Sequence, residues 1–243
     1  AEIDNYRKVL LKLTKKLIYS YKINFEELEK KIQVLNLYVK NQKSNKMITD
    51  AFKLLHMCKK FGTVQFSIFA RHAFIANSLL RSLINENILS SSDYSNFMNS
   101  IETVTSKFLK QLNLVNTKKL SLSDFLKTYG HLRPGTYDIT TDSYQDNPVF
   151  YLSKKFRFKS NRSDFSFTKK KREKIKKKIS EKGFDIDPDF LLTYIKRSIQ
   201  MREYSKFIFT KGVSKSLDLI KSWGEKQNLT SEDLSYFSLN DLK

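Results

Sequence analysis

The chain has 243 residues, 40% of them hydrophobic, and its 45 Lys and Arg residues against 25 Asp and Glu give a formal net charge of +20. This length and apolar fraction suffice for one large domain or two small ones. A single cysteine, Cys58, excludes an internal disulfide and favours the reducing cytoplasm. No apolar run approaches the roughly 18 residues of a membrane span, and the first residues given lack the hydrophobic region of a signal peptide. We expect a cytoplasmic fragment of a longer protein.

The spacing of apolar residues is helical along nearly the whole chain. In the first third it predicts helices over about residues 4–20, 24–40, 46–60 and 63–86. The first has an apolar stripe formed by Tyr6, Val9, Leu10, Leu13 and Leu17. Asn24 and Glu27 have the spacing of a capping box, and Gly62 is predicted to break the chain. The helix over 63–86 is apolar on most sides, which is typical of the centre of a bundle.

Further helices are predicted in the remainder of the chain. The serines at 90–92 begin one that runs to about residue 113, and Ser121 with Asp124 caps a short one. Pro188 lies one residue inside a long helix that reaches about residue 223, with a break near Gly212. Thr230 with Asp233 caps a last turn. Only residues 150–158 suggest a strand, and weakly.

These elements predict an all-α protein, a multi-helix bundle with one functional loop around residues 129–150. Its parts are a helical bundle over 1–150, a basic insertion or flexible segment over 151–182, and C-terminal helices over 183–243 that pack on the bundle.

The decapeptide YGHLRPGTYD at residues 129–138 concentrates residue types that are rare elsewhere. The chain has six Gly, three Pro and three His, and Gly130, His131, Pro134 and Gly135 all lie here. Because glycine frees the backbone and proline fixes φ, the segment can hold the His131 imidazole and the Arg133 guanidinium at set positions. This pattern is typical of a binding or catalytic loop. The alternative is a tight turn whose His and Arg cap neighbouring helices.

Two other groups of cations are candidate anion sites. Arg71 lies within the apolar run 63–86, and a buried guanidinium must be paired with an acid or bind an anionic ligand. Arg202 and Lys206 are four residues apart, so they project from one helix face and could hold a phosphoryl group together. An exposed basic face would show the same spacing.

Residues 151–182 hold 14 basic and three acidic residues, with the run KKKREKIKKK at 169–178. Such a run could bind nucleic acid or an anionic membrane, but it is more often a solvated helix face or a mobile insertion. We therefore expect neither nucleic acid nor a membrane as a partner. His56, Cys58 and His72 lack the spacing of a metal site, so no metal site is predicted.

Residues 129–138 resemble the Tyr-Gly-His-Arg-Gly/Pro-Gly-Glu-type motif in the middle region of phosphoenolpyruvate-synthase-like phosphotransferases, a group that includes the rifampicin phosphotransferases. Residues 61–66 and 70–76 resemble a helix of one subgroup, and the segments 100–104, 202–207 and 233–235 also fit. The resemblance covers about residues 50–240. Leu132 and Thr136 replace an Arg and a Glu of the antibiotic-modifying members, which argues against a rifampicin-like acceptor.

The resemblance implies a relay of three parts. An ATP-grasp-like domain takes phosphate from ATP with Mg²⁺, a mobile domain carries it on a histidine, and a helical middle region helps to form the acceptor site. This chain would be that middle region and inactive alone. Its partners would be the other two domains of the same polypeptide, which bind the cofactors, and a small-molecule acceptor.

Within such a relay, the spacing and charge of individual residues suggest their roles. The catalytic candidates are Arg202 and Lys206, which offset charge on the transferring group, and His131, which donates or accepts a proton. The substrate-binding candidates are Tyr129, Arg133, Asp138 and Arg71. Two alternatives stay open at this point: a basic helical protein that binds nucleic acid, and a non-catalytic interaction scaffold.

Overall fold

A computed structural model describes residues 2–42, 48–152 and 165–242. Within these ranges every regular element is a helix, which confirms the all-α class. In chain order the helices are α1 (Glu2–Tyr19), α2 (Tyr21–Asn41), α3 (Ile48–Cys58), a π-helical turn (Lys59–Thr63), α4 (Val64–Asn85), α5 (Ser91–Ser100), α6 (Val104–Asn116), α7 (Leu122–Tyr129), α8 (Pro148–Leu152), α9 (Lys169–Glu181), α10 (Pro188–Glu225) and α11 (Ser231–Ser235). No described helix combines the length and the apolar composition needed to cross a bilayer.

The chain divides into two compact units, each made of three separate segments. Unit 1 comprises Ala1–Lys30, Phe66–Thr103 and Ser160–Tyr204; unit 2 comprises Lys31–Gln65, Val104–Lys159 and Ser205–Lys243. Helices α2, α4 and α10 therefore contribute residues to both units. The domain boundaries predicted at residues 150 and 182 follow the sequence order and stay a prediction.

The core of unit 1 surrounds Tyr194 of α10, which is fully buried. The Tyr194 hydroxyl lies 3.1 Å from Nδ1 of His72 on α4, so these two buried polar atoms form a hydrogen bond with each other. Phe25 of α2 packs edge-on against His72 and Phe69. These contacts place aromatic side chains of three helices in one apolar cluster.

The core of unit 2 contains the hydrophobic cluster of Leu112, Phe125 and Tyr129. Phe108 of α6 contacts the rings of both Phe125 and Tyr129, and Phe207 of α10 contacts the ring of Tyr129. Because Tyr129 is the last residue of α7, this cluster fixes the point from which the next loop begins.

The predicted N-caps after residue 90 are confirmed. Ser90 and Thr230 each form a complete capping box with the Asp three residues later, and the Ser121 side chain accepts a hydrogen bond from the Asp124 amide. The predicted cap at Asn24 is wrong, because α2 already begins at Tyr21.

The predicted helix breaks at Gly62 and Gly212 are also wrong. Gly62 lies in the π-helical turn that joins α3 to α4, and Gly212 lies inside the continuous helix α10. A Cβ atom on Gly62 would come within 2.6 Å of the Phe209 Cβ, and one on Gly212 would overlap the Cys58 Sγ. Both glycines therefore permit close packing between helices of unit 2.

Other boundaries differ from the predictions as well. The helix expected over 90–113 is two helices, α5 and α6, separated at residues 101–103. The weak strand pattern at 150–158 begins in helix α8, and its part from residue 153 onward lies outside the described residues.

Two predicted apolar surfaces are more exposed than expected. On α4, His72 is buried, whereas Arg71 is exposed and Phe74 is 64% exposed, so this helix is not enclosed on all sides. The argument that Arg71 is a buried cation is therefore wrong. On α1, most of the apolar stripe faces solvent, although Ile18 near the end of the helix is buried.

Candidate functional site

The segment from Gly130 to Asn147, which connects α7 and α8, is folded back on itself. The Tyr144 amide donates to the Leu132 carbonyl at 2.8 Å, and the Gln145 amide donates to the Gly130 carbonyl at 2.9 Å. These bonds bring the two ends of the segment side by side. We call residues 130–147 the connecting loop.

Aspartate side chains order the turns within the connecting loop. Asp138 accepts hydrogen bonds from the Thr140 amide and from the hydroxyls of Thr140 and Thr141. Asp146 accepts from the amide and the hydroxyl of Ser143. These are the local bonds by which aspartate stabilises turns, so Asp138 has a structural role here.

Arg133 fastens the connecting loop to α10. Its Nη1 donates to the Thr141 carbonyl at 2.9 Å, and its Nη2 donates to Ser214 Oγ at 2.9 Å and to Asp218 Oδ1 at 2.7 Å. The Arg133 side chain is buried, and Asp218 supplies the opposite charge from a half-exposed position. Both Nη atoms are thus engaged inside unit 2, so the structure does not present this guanidinium to a ligand.

An open pocket of about 380 Å³ lies between the connecting loop, α10 and the end of α2, within unit 2. Three lysines, Lys40, Lys211 and Lys215, line it with His131 and with the carboxylates of Asp146 and Asp218. The remaining lining residues are Val39, Leu126, Gly130, Ser143 and Gln145. Three lysines around a partly enclosed volume favour an anionic ligand.

His131 lines this pocket with a neutral imidazole. Its Nε2 atom is buried and has no hydrogen-bond partner in the described part of the chain, and its ring packs edge-on against Phe207 with the centroids 4.7 Å apart. Burial, with the positive charge of Lys211, lowers the pKa of His131 from 6.5 to about 4. At neutral pH the imidazole is therefore uncharged and has an unused hydrogen-bonding atom.

Lys211 and Lys215, the two lysines of α10 that line the pocket, are in an electrostatically unfavourable environment. Burial, together with the charges of Lys40 and Lys215, lowers the pKa of Lys211 below its usual range. Burial lowers the pKa of Lys215 as well, and its Nζ donates to the carbonyls of Val39 and Gln42 at the end of α2. A bound anion would relieve the repulsion between these cations.

The structure brings together only some of the predicted site residues. His131 lines the pocket, Arg133 supports its wall, and Tyr129 is buried in the hydrophobic cluster beneath it. Lys206 is exposed on α10 and does not line this pocket, and Arg71 and Arg202 belong to unit 1.

Sequence reasoning did not select Lys40, Lys211 and Lys215. Lys211 and Lys215 have the same i, i+4 spacing as Arg202 and Lys206, so the signal was present twice on α10. Which pair lies beside the loop depends on tertiary packing.

Helix α9 contains the whole basic run at 169–178 and separates its cations into two faces. On the face that carries the buried residues Ile175 and Ile179, Lys171 pairs with Asp93 and Lys178 pairs with Glu86. The exposed lysines of the helix are Lys169, Lys170, Lys174, Lys176 and Lys177. Within the described ranges, no group of three or more His, Cys, Asp or Glu residues could hold a metal ion.

No protein-family model, curated protein or solved structure matches this chain. The relation to phosphoenolpyruvate-synthase-like enzymes therefore stays a hypothesis that rests mainly on the decapeptide at residues 129–138, with weaker matches elsewhere between residues 50 and 240. The chemistry of the pocket follows from its own residues. Its lysines can bind an anion, and the neutral imidazole of His131 can accept a proton or a hydrogen bond.

Proposed function

We propose that this chain is the acceptor-binding middle region of a cytoplasmic, phosphoenolpyruvate-synthase-like phosphotransferase, and that the pocket beside the connecting loop receives the acceptor. One observation supports this proposal above the others. His131, the third residue of the decapeptide, lines a pocket with three lysines, and its buried Nε2 has no partner among the described residues.

Phosphoryl transfer needs mainly positioning and charge stabilisation, which these residues can supply. Lys40, Lys211 and Lys215 attract the anionic group of the acceptor. His131 accepts a hydrogen bond or a proton from the acceptor hydroxyl, since its imidazole is uncharged at neutral pH. Arg133 acts on the acceptor indirectly, as a positioning residue that holds the loop.

Other parts of the reaction belong to other domains in this proposal. ATP and Mg²⁺ bind to an ATP-grasp-like domain, and the phosphohistidine lies on a further domain of the same polypeptide. On its own this chain is inactive.

The first experiment measures binding of pyruvate, phosphoenolpyruvate and inorganic phosphate by NMR, with the His131 ring as the reporter. We expect at least one of these anions to shift the His131 resonances and the Lys211→Met variant to bind at least about tenfold more weakly. Lys206→Met is the matched control, since this exposed lysine on the same helix does not line the pocket. If no anion perturbs His131, or if both variants weaken binding equally, the pocket is not the acceptor site.

A second experiment tests the transfer reaction in the polypeptide that contains all three domains. His131→Gln is expected to reduce ATP-dependent phosphoryl transfer to the acceptor by about 100-fold or more, the range typical of a general acid or base. Formation of the phosphohistidine from ATP should be unaffected, because it precedes acceptor binding. If the variant reduces phosphohistidine formation as much as it reduces transfer to the acceptor, His131 does not act at the acceptor site.

Nucleic-acid binding by α9 is a second candidate function, favoured by the separation of its paired and exposed lysines. Phe167 is buried and stacked on Phe97, so it is not available to stack on bases, and binding would be to phosphates alone. The affinity for a labelled duplex of about 30 base pairs, measured by fluorescence anisotropy, should then decrease steeply with salt. The variant Lys170→Gln/Lys174→Gln/Lys177→Gln should bind the duplex more weakly than the unchanged chain. If the triple variant binds the duplex as tightly as the unchanged chain, α9 is not the nucleic-acid-binding surface.

A further inference from the structure

An open cavity of about 380 Å³ lies within unit 1, where the ends of α4 and α9 meet the start of α10. We call it the α4–α9 cavity. Its lining shares no residue with the pocket beside the connecting loop, and none of the exposed lysines of α9 contributes to it. Its volume is in the range of small-molecule sites, so neither function proposed above accounts for it.

Most of the wall of the α4–α9 cavity is apolar. The hydrophobic side chains that line it are Leu79, Leu83, Ile179, Phe184 and Leu191. All of these except Leu79 are buried, so the cavity reaches into the core of unit 1. Water in contact with such a wall is displaced favourably by an apolar ligand.

The polar side chains of the lining are already bonded within the protein. The Ser82 hydroxyl donates to a backbone carbonyl of its own helix at 2.9 Å. Lys178 Nζ lies 2.7 Å from Glu86 Oε2 and 3.6 Å from Glu181 Oε2, and Lys182 Nζ lies 3.8 Å from Glu86 Oε1. These groups therefore need no ligand to satisfy them.

The charges at the cavity do not favour an ionic ligand. The hydrogen bond from Lys178 lowers the pKa of Glu86 below its usual range, so this carboxylate stays ionised beside the two lysines at neutral pH. An anion would meet the carboxylate and a cation would meet the lysines, and either would lose part of its hydration on entry. An uncharged ligand avoids this penalty.

The volume of the cavity indicates the size of the ligand. An apolar cavity of about 150 Å³ holds one benzene molecule. The α4–α9 cavity, at about 380 Å³, is more than twice as large. By this comparison it has room for an alkyl chain or fused rings of about eight to ten carbon atoms.

We propose that the α4–α9 cavity binds an uncharged, largely apolar small molecule of about eight to ten carbon atoms. Its hydrocarbon body replaces water against Leu79, Leu83 and Phe184. A polar end, where the molecule has one, stays hydrated near the exposed Ser82. This site belongs to unit 1 and is independent of the proposed acceptor pocket in unit 2.

The first experiment measures binding of 1-octanol by NMR, with the methyl groups of Leu83 and Ile179 as reporters. These reporters distinguish the cavity from apolar side chains exposed elsewhere on the chain. We expect 1-hexanol to bind about tenfold more weakly, because it buries two fewer methylene groups. If neither alcohol shifts these methyl resonances, or if both bind equally, the proposal is wrong.

Two ionic probes test the preference for an uncharged ligand. Octanoate and octylammonium carry hydrocarbon chains of similar length with opposite charges. Each should bind at least about threefold more weakly than 1-octanol, because its charged end meets a group of the same sign. An ion that binds as tightly as the alcohol, or more tightly, would show that the charges at the cavity select a ligand and would overturn the proposal.

Variants that fill the cavity identify it as the binding site. Leu79→Trp should reduce 1-octanol binding by at least about tenfold, because the larger side chain occupies the space of the ligand. Ser82→Trp should have the same effect from an exposed position of the lining, where it leaves the core unchanged. Ser78→Trp is the matched control, since Ser78 is exposed on the same helix and does not line the cavity.

Thermal unfolding without ligand shows which of these variants fold. If Leu79→Trp does not fold, Ser82→Trp decides the outcome. Full binding of 1-octanol by a folded Ser82→Trp variant would overturn the proposal, and so would an equal loss of binding in Ser78→Trp.

Discussion

Arg133 of the connecting loop donates a hydrogen bond from Nη2 to Asp218 Oδ1 on α10, at 2.7 Å and across 85 positions of sequence. The guanidinium is buried and the carboxylate is half-exposed, so the pair forms where the loop meets the edge of α10. The same Nη2 also reaches Ser214 Oγ, while Nη1 holds the Thr141 carbonyl inside the loop. One side chain thus joins two of the parts of unit 2 that line the pocket, the connecting loop and α10.

Replacing Arg133 with Met should destabilise the chain by about 2–4 kcal/mol, because Ser214, Asp218 and the Thr141 carbonyl all lose their donor. Urea unfolding monitored by circular dichroism measures this change. Tyr137→Ala is the control in the same loop, since Tyr137 is 65% exposed and should change stability by less than about 0.5 kcal/mol. Similar losses in both variants would show that Arg133 does not fasten the loop.

Gly212→Ala should destabilise the chain by about 1–3 kcal/mol, because the added methyl group overlaps the Cys58 Sγ and crowds Val39. Cys58→Ala alone removes one buried atom and costs about 1 kcal/mol. The double variant should be more stable than the sum of the two single changes predicts, since Cys58→Ala removes the clashing sulfur and the methyl group added by Gly212→Ala fills the space that the sulfur leaves. If the two changes in the free energy of unfolding, measured in urea, are strictly additive, the side chain added at Gly212 does not contact Cys58.

Gly62 and Gly212 show where the sequence was misleading. A cap such as Ser90 with Asp93 can be predicted, because its hydrogen bonds join residues three positions apart. A glycine within a helical pattern has two meanings, a break or a close approach, and a partner distant in sequence decides between them. For Gly212 that partner is Cys58, and for Gly62 it is Phe209.

The candidate site could also be predicted only in part. The rarity of Gly, Pro and His elsewhere correctly located a structured loop at residues 129–138. It did not distinguish His131, which lines the pocket, from Arg133, which is bonded inside the protein. The lysines of the pocket were missed because their position beside the loop depends on packing between segments remote in sequence.

The folding stability should fall as the pH falls from about 6.5 to 4, in part because of His131. The unfolded chain binds a proton on this histidine near pH 6.5, whereas burial lowers the folded-state pKa to about 4. Protons therefore favour the unfolded state within this window, by about 1–2 kcal/mol at pH 5 from this residue. NMR titration of the His131 ring checks the cause directly, and a midpoint near 6.5 would contradict it.

Lys211→Met should raise stability by up to about 1 kcal/mol while removing anion binding. The variant relieves the burial of a charge and its repulsion by Lys40 and Lys215, which together lower the pKa of Lys211. A residue that destabilises the fold and is needed for binding is typical of a functional site. Thermal unfolding with the NMR binding assay measures both effects, and a destabilised variant would contradict the assignment.

The connecting loop is held by hydrogen bonds whose donors and acceptors all belong to the protein itself. Its ends are joined by the Tyr144 and Gln145 amides, its turns by Asp138 and Asp146, and its position by Arg133. The conformational entropy of ordering these residues is therefore lost during folding and not during binding. Even a weakly interacting small anion can occupy such a preorganised pocket, with a smaller entropic penalty than a disordered loop would impose.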